Sequence, residues 1–322
     1  MTSRILITGA FGYLGGRLAA HLMEQGSDDL LLAVRPARTA NHQVPGRGAR
    51  IVPLDLSANP GDEGIPAGVD TVIHLASVNE IVAAQDPEQA FRVNVLGTRS
   101  LVDRAVAAGV SRLLYVSTAH VYGSPLSGRI TEATPPRATH PYAYTKLIGE
   151  NFVLEAHRKK QLTGVVIRLG NAMGSPVDPR IDRMRLICND LCRLAVTTGE
   201  VALRSSGADL RNFIPIADVL RAIVHLLGKP RDDLADGLFN LGQEEAIPLG
   251  EIARLIVARA EKMGIQTRLS FGKPKPGETP VPFTYPQDKI AATGFRPQHT
   301  LSEEIDATLQ FCREHFAPRA TS

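Results

Sequence analysis

The chain has 322 residues and a formal net charge of +3 at pH 7, with 43% hydrophobic and 21% charged residues. This length and composition allow a sizeable globular core. The small, evenly spread charge argues against nucleic acid as the main partner and leaves small anionic ligands open. No apolar run is long enough to cross a bilayer, and the N-terminus MTSRILITGA lacks a signal-peptide layout. We therefore expect a cytoplasmic protein without a membrane partner.

The three cysteines in the sequence suit a reducing compartment. Cys188 and Cys192 lie one helical turn apart, but no second Cys or His pair accompanies them at a metal-binding spacing. We therefore expect two cysteines on the apolar face of a helix and no metal site.

The first half of the chain alternates short apolar segments with helical ones. Continuous apolar strands that alternate with helices predict a parallel sheet buried on both faces. The fold class is therefore α/β, with a doubly wound parallel (Rossmann) sheet. The predicted strands are 4–8, 29–34, 49–54, 70–76, 111–118 and 163–170, and the predicted helices are 12–26, 87–109 and 141–160.

The pattern loosens after Gly170, which predicts a smaller, discontinuous C-terminal substrate lobe beside the sheet. The segment DGLFNLG (236–242) predicts one more strand that returns to the sheet. Further helices are predicted near 183–198, at 248–264 and at 302–316. The predicted division gives residues 1–170 with about 212–245 to the Rossmann domain, and 171–211 with 246–322 to the substrate lobe.

Three glycines, Gly9, Gly12 and Gly15, lie between the first strand and the first helix, in ITGAFGYLGG. Glycine permits a tight turn and lets the backbone approach a pyrophosphate at the helix N-terminus. The spacing G-x2-G-x2-G differs from the standard G-x-G-x-x-G fingerprint. Its place in a βαβ unit favours a dinucleotide site over a merely structural turn.

Arg35 ends the second predicted strand, where a carboxylate would bind the ribose hydroxyls of NAD. Arg38 is nearby, and no Asp or Glu occurs between residues 30 and 54. A guanidinium suits the 2′-phosphate of NADP, which favours NADP(H) and leaves NAD(H) open.

Two tyrosines precede Lys146 in THPYAYTKLIGE. Tyr142 lies four residues before the lysine, on the same helix face, whereas Tyr144 lies two residues before it and points away. A free phenol has a pKa near 10, and we expect the adjacent ammonium to lower it. Tyr142 is therefore the candidate acid–base residue.

These segments resemble the extended short-chain dehydrogenase/reductases, in the branch that modifies nucleotide sugars. The motifs that carry the resemblance are TGAFGYLG, VSTAHVYG, PYAYTK, RLGNAMG and RNFIPIADV. The resemblance implies an NAD(P)-dependent epimerase or reductase in which hydride is transferred at a sugar carbon, usually C4. It also implies a homodimer formed by the helices at 87–109 and 141–160.

The resemblance assigns roles residue by residue. Thr118 is the hydroxyl partner of Tyr142, and Lys146 also binds the nicotinamide ribose. We expect Ser117, His120, Asn171 and Arg211 to face the substrate, and the resemblance places Arg211 on the nucleotide diphosphate, whereas His120 departs from the patterns of the family. Asp218 is expected to cap a helix. The remaining cofactor-binding residues are Phe11, Tyr13, Leu14, Asp55, Leu56, Leu75, Ala76 and Asn94, of which Asp55 and Asn94 could instead be structural.

The two residues after Thr118 discriminate among reactions. Dehydratases of this family usually carry acids there, but Ala119 transfers no proton, which argues against dehydration. His120 is interpreted as a polar pocket residue, with a second proton carrier as the alternative. Two activities on a nucleotide sugar therefore remain as expectations, that of a 4-epimerase and that of a 4-keto-sugar reductase. The open alternatives are an NADPH-dependent carbonyl reductase of flavonoid- or aldehyde-reductase type and a catalytically silent NADP-binding regulator.

Overall fold

A seven-stranded parallel sheet forms the centre of the molecule. The computed structural model describes residues 3–27, 29–36, 48–56, 64–274 and 279–317. The strand order is β12-β7-β5-β4-β1-β2-β3, and every neighbouring pair is parallel. The strands of the molecule are β1 (Ile5–Thr8), β2 (Leu30–Val34), β3 (Ala49–Pro53), β4 (Thr71–His74), β5 (Arg112–Thr118), β6 (Gly128–Arg129), β7 (Thr163–Leu169), β8 (Asn171–Met173), β9 (Glu200–Leu203), β10 (Leu210–Arg211), β11 (Phe213–Pro215), β12 (Leu238–Leu241), β13 (Ile247–Pro248), β14 (Arg268–Phe271) and β15 (Phe283–Thr284).

Consecutive residues of a strand point to opposite sides of the sheet, so the apolar strands give it two apolar faces. Helices cover both of these faces. Leu6 and Ile7 of β1 illustrate the alternation, since they belong to two different apolar clusters. The helices are α1 (Tyr13–Glu24), α2 (Glu80–Gln85), α3 (Pro87–Ala90), α4 (Thr98–Ala107), α5 (Pro141–Arg158), α6 (Ile187–Thr198), α7 (Ile216–Leu227), α8 (Leu249–Lys262), α9 (Asp288–Ala292) and α10 (Leu301–Phe316). Helices α1 and α7 pack in one cluster and α4 and α5 in the other, which confirms the doubly wound fold class.

The helix predicted at 87–109 is not one regular α-helix. A π-helical segment, Phe91–Gly97, separates α3 from α4. Within it, the fully buried Asn94 accepts a hydrogen bond from the Val78 N–H at 2.9 Å and donates one to the Thr145 hydroxyl at 3.1 Å. The segment thereby connects the loop after β4 to α5. Periodicity in the sequence cannot distinguish such a local widening from an ordinary helix.

A third apolar cluster lies between α6, α8 and α10. It contains Cys188, Cys192 and Cys312, all buried and free, so the two cysteines of α6 do face an apolar core. Strands β9 and β14 pair in parallel against it. Strand β12 joins the large sheet beside β7, as DGLFNLG predicted. The domain boundaries given above stay a prediction.

Asp218 does not cap α7, and that prediction is wrong. Its buried carboxylate accepts hydrogen bonds from the backbone N–H groups of Gln298 and His299, both at 2.9 Å, and from the Arg221 guanidinium at 2.7 Å. The chain that enters α10 lies against the first turn of α7 and offers these donors. Asp218 therefore fastens the C-terminal segment to α7.

Candidate active site

The glycine turn connects β1 to α1 at the carboxyl edge of the sheet. Gly9 has φ +69°, and a Cβ there would lie 2.7 Å from the Ala76 nitrogen, so only glycine fits. A Cβ on Gly12 would meet one atom within 4 Å, the Gly9 carbonyl oxygen at 3.1 Å. It would otherwise project into open space in front of α1, where a helix N-terminus favours an anion.

Two cavities meet over this turn, of about 740 and 440 Å³. Both are lined by Gly9, Gly12, Ala76 and Ser77, so they form one elongated cleft with the turn at its middle. A dinucleotide has this extended shape, with its pyrophosphate between two nucleosides, and the cleft fits it. Of the predicted cofactor residues, Tyr13, Leu14, Gly15, Leu75, Tyr142 and Lys146 line the larger cavity, and Phe11, Arg35, Asp55 and Leu56 line the smaller one.

Arg35 follows β2 directly and is exposed in the wall of the smaller cavity. Asp55, which follows β3, is the one acidic residue among the described residues of that wall. This end of the cleft therefore contains the guanidinium of Arg35, and its contact with a cofactor phosphate stays a prediction. Arg38 lies outside the described residues.

Thr118, Tyr142 and Lys146 come together in the larger cavity. Thr118 is the last residue of β5, and the other two occupy the first two turns of α5. Tyr144 is 39% exposed and does not line this cavity, in agreement with its position on the helix. The Thr118 hydroxyl accepts the His120 N–H at 3.2 Å.

The electrostatics of this group differ from the sequence expectation. Lys146 is 2% exposed, and its Nζ lies 4.0 Å from the centre of the Tyr115 ring. Burial lowers the pKa of Lys146 to about 7, although Glu150 raises it. Burial, reinforced by Glu80, raises the pKa of Tyr142 to about 12. The expected lowering by Lys146 is not seen, because loss of solvent dominates at both groups.

Ser117 belongs to a buried polar cluster under the cavity floor. Its hydroxyl donates to Glu150 at 2.5 Å, and it is only 3% exposed although it lines the cavity. The Arg168 guanidinium donates to both oxygens of Glu150, at 2.7 to 3.2 Å. Ser117 thus holds β5 to α5, and its predicted contact with the substrate stays untested.

Two residues that were predicted to contact a ligand, Asn94 and Arg211, line neither cavity. Asn94 is completely buried by the bonds described above, which favours the structural alternative. Arg211 donates to the Leu210 carbonyl at 3.1 Å and lies 3.6 Å from the Asp209 carboxylate. Asn171 and His120, in contrast, do line the larger cavity.

The cavity also contains residues that the sequence analysis missed. His140 lies immediately before α5, and its Nδ1 accepts the Ala143 N–H at 3.3 Å. Glu80 of α2 faces Arg183, which comes from the loop before α6, with 3.9 Å between their charged atoms. A histidine directly before a proline at the start of a helix could have identified His140 from the sequence as a residue at the N-terminus of α5. The Glu80–Arg183 pair joins two segments that are far apart in the sequence, so no local sequence pattern predicts it.

Comparison with known proteins identifies the family of this chain. Residues 5–242 match the family described as the NAD dependent epimerase/dehydratase family. The chain belongs to this family, and it is an NAD(P)-dependent enzyme of the extended short-chain dehydrogenase/reductase type, in the nucleotide-sugar branch.

Similar curated proteins extend over almost the whole chain. The dTDP-6-deoxy-L-talose 4-dehydrogenase (NAD(P)(+)) of Kitasatospora kifunensis is 28% identical over 320 residues, covering 94% of this chain and 93% of the relative. The dTDP-glucose 4,6-dehydratase of Streptomyces griseus is also 28% identical, covering 98% and 95%. These names describe different reactions, so family membership alone does not identify the reaction that this chain catalyses. That reaction has to be inferred from the residues of the site.

Solved structures share the fold. UDP-glucose 4-epimerase of Thermotoga maritima, determined with UDP-glucose, has a TM-score of 0.78 at 20% identity, covering 97% of this chain and 99% of that one. RMD from Pseudomonas aeruginosa, complexed with NADPH, has a TM-score of 0.75 at 23% identity, covering 97% and 100%.

Metal-binding clusters and membrane-spanning helices are both absent from the described residues. Within these ranges, no cluster of three or more His, Cys, Asp or Glu side chains is placed to hold a metal ion. No helix in the same part of the chain has the length and apolarity needed to cross a membrane.

The Glu150–Arg168 pair gives a first prediction. We expect Glu150→Gln to lower the free energy of unfolding by about 3–5 kcal/mol, because it leaves a buried guanidinium without its counter-charge. The measurement is urea unfolding. The matched control is Glu155→Gln on the same helix, where the carboxylate and its partner Lys159 are exposed, and no measurable loss is expected. The double variant Glu150→Gln/Arg168→Met should recover part of the stability. A single variant as stable as the wild type would refute this role.

Proposed function

We propose that the protein is an NADPH-dependent reductase that converts the C4 ketone of a nucleotide-activated sugar to a hydroxyl group. The observation that carries the proposal is the Tyr142 phenol, which lines the same cavity as Thr118 and the glycine turn. A protonated phenol beside a threonine hydroxyl can donate its proton to the oxygen of a ketone as the carbon is reduced. The similarity to a 4-dehydrogenase supports C4 as the reacting carbon, since reduction of a C4 ketone is the reverse of dehydrogenation at C4.

The chain's own residues supply the proton and the orientation. Thr118 and Tyr142 hydrogen-bond the ketone oxygen, and Tyr142 gives it a proton as the carbon is reduced. The Lys146 ammonium stabilises the phenolate that remains until solvent returns the proton. When bound, the nicotinamide cofactor supplies the hydride to the carbonyl carbon.

Residue 119 argues against dehydration. Elimination of water from a sugar needs acid–base groups in addition to the phenol, and Ala119 is a buried alanine that transfers no proton. A 4-epimerase would use the same phenol in both directions, as base and then as acid. The phenol therefore fits both reactions, and the preference for net reduction rests on Arg35.

The preference for NADPH rests on Arg35. It lies in the wall that would receive the adenosine ribose, and a bidentate guanidinium matches a phosphate. The same residue supports a reductase, since net reduction in cells usually draws on NADPH. Arg211 would bind the substrate diphosphate only after leaving Asp209.

A homodimer is part of the proposal. The two helical segments that the family resemblance places in a dimer carry exposed apolar side chains: Phe91 at 45%, Leu96 at 49% and Tyr144 at 39%. Burial of such a surface is favourable in an oligomer. Light scattering of the purified protein should give twice the chain mass of 34.7 kDa, and a monomer at micromolar concentration would contradict it.

The central test uses a panel of nucleotide-linked 4-keto-6-deoxy sugars and follows NADPH oxidation. We expect Tyr142→Phe to lower kcat by about 10²–10⁴-fold while NADPH still binds, because only the proton donor is removed. Tyr144→Phe, two residues along the same helix, is the matched control and should retain activity. Near-normal turnover in Tyr142→Phe would refute the assignment.

Turnover with simple aldehydes or flavonoids alone would favour the non-sugar reductase, and NADPH binding without turnover of any compound would favour the regulator.

Arg35→Asp should shift preference from NADP towards NAD, because a carboxylate repels the 2′-phosphate and accepts hydrogen bonds from free ribose hydroxyls. Dissociation constants for both cofactors by fluorescence titration measure the shift. Arg313→Asp, an exposed arginine on α10, controls for the change in net charge. Unchanged relative affinities in Arg35→Asp would mean that this arginine does not bind the phosphate.

A further inference from the structure

Helix α1 contacts the segment 174–186, which connects β8 to α6. One face of α1 packs against the sheet, where Leu18 belongs to an apolar cluster. Tyr13, Gly16 and Arg17 are spaced three and four residues apart and lie together on another face. All three contact the segment 174–186. We call these three residues the α1 strip.

Two hydrogen bonds join the α1 strip to the start of the segment. The Tyr13 hydroxyl donates to the Gly174 carbonyl at 2.8 Å. The Arg17 guanidinium donates to the Ser175 carbonyl at 3.2 Å. Burial raises the pKa of Tyr13, so its hydroxyl stays protonated and remains a donor.

Gly16 lets the segment approach α1 closely. A Cβ on this residue would lie 2.7 Å from Cγ2 of Val177 and 3.9 Å from Cδ1 of Ile181. Such a Cβ would displace Val177, since side-chain carbons do not approach each other to 2.7 Å. The absence of a side chain at residue 16 is therefore used by the segment 174–186.

The buried Asn189 of α6 joins the two ends of this segment. Its Oδ1 accepts the Gly174 N–H at 3.2 Å. Its Nδ2 donates to the carbonyls of Gly174 at 2.7 Å and Arg183 at 3.1 Å. The Gly174 carbonyl thus accepts from both Tyr13 and Asn189, so a shift of Gly174 on α1 is passed on to Arg183.

The segment and the glycine turn meet at the first turn of α1. Gly12 of the glycine turn directly precedes Tyr13, the first residue of the helix. Tyr13 lines the larger cavity. The residues of the segment that line the same cavity are Ile181, Asp182, Arg183 and Leu186. A single helical turn therefore connects the cofactor side of the cavity to the opposite wall.

We propose that the α1 strip positions the segment 174–186 as the substrate-side wall of the cavity and couples this wall to the cofactor. The inference rests on the proposed function, which places the nucleotide sugar against this wall. Docking of the segment fixes the first turn of α1 through Tyr13, and a cofactor on the glycine turn needs the same turn in order. The cofactor therefore binds the docked form more tightly and holds the wall in place. By reciprocity, a sugar that binds the docked wall strengthens cofactor binding.

Hydrogen–deuterium exchange of the full-length protein, followed by mass spectrometry, tests this coupling. The backbone amides of residues 174–186 are compared with and without saturating NADP⁺, or NAD⁺ if that cofactor binds more tightly. In the wild type we expect the cofactor to slow their exchange by about 5-fold or more, the factor that corresponds to one hydrogen bond. In Tyr13→Phe and Gly16→Ala we expect less than about 2-fold slowing. Both variants should still bind the cofactor, because the glycine turn is unchanged.

Tyr285→Phe is the matched control for the lost hydroxyl. The Tyr285 hydroxyl also donates to a backbone carbonyl at 2.8 Å, that of Arg168, and the residue lines neither cavity. Gly16→Ala should not unfold the protein, because alanine is the better helix former. The Val177 side chain that it displaces is 46% exposed and is free to move.

Steady-state kinetics provide a second measurement, with a nucleotide sugar of the panel that the wild type reduces. We expect Tyr13→Phe and Gly16→Ala to raise KM by about 5-fold and to change kcat by less than about 2-fold. The reason is that both variants displace a wall of the binding cavity, whereas Thr118, Tyr142 and Lys146 are unchanged.

The outcomes separate this inference from the proposed function. Loss of cofactor-dependent protection in both variants, with protection kept in Tyr285→Phe, would support the inference. Wild-type exchange that the cofactor leaves unchanged, or equal protection in wild type and both variants, would overturn it and leave the reductase in place. Protection without reduction of any keto-sugar would overturn the proposed function and leave the coupling of the segment to the cofactor. A wild type that binds neither NADP⁺ nor NAD⁺ would overturn both.

Discussion

The pairing of β5 with β4 and β7 in a parallel sheet is the constraint on which the site depends. Parallel strands end at the same edge of a sheet, so the glycine turn after β1, Arg35 after β2 and Thr118 at the end of β5 face one cleft. Helix α5 packs on β5 and brings Tyr142 and Lys146 to the same edge. The bond network of Glu150 with Ser117 and Arg168 fixes the helix against the two strands.

Loss of solvent sets the chemistry of this cleft more than any single ion pair. It lowers the pKa of Lys146, raises that of Tyr142, and keeps His120 and His140 neutral. A protonated phenol therefore lies beside two neutral imidazoles in the same cavity. The same burial explains why a description based on neighbouring charges alone gave the wrong direction for Tyr142.

Local patterns predicted much of this structure. The strands and helices of the sheet domain follow from runs and periods of apolar residues. The glycines, Arg35 and the Tyr142–Lys146 pair were found by their place after particular strands or on one helix face, and Thr118 was assigned by the family resemblance. Predictions were wrong or incomplete where a side chain binds a distant segment. Asp218 binds the chain before α10, Asn94 of the π-helical segment binds the loop after β4, and Ser117 is bonded to Glu150.

The sequence by itself determined the fold class and the kind of ligand, because strand patterns, the glycine turn and the spacing of Tyr142 and Lys146 are local properties. Only the tertiary structure decided which polar groups are free for a ligand. Both ring nitrogens of His74 are bonded by threonines, whereas no described residue bonds the buried Nδ1 of His120, which lines the same cavity as Thr118 and Tyr142. The physical reason is that hydrogen bonds and burial depend on residues far apart in the chain, and these are close only after the sheet has formed.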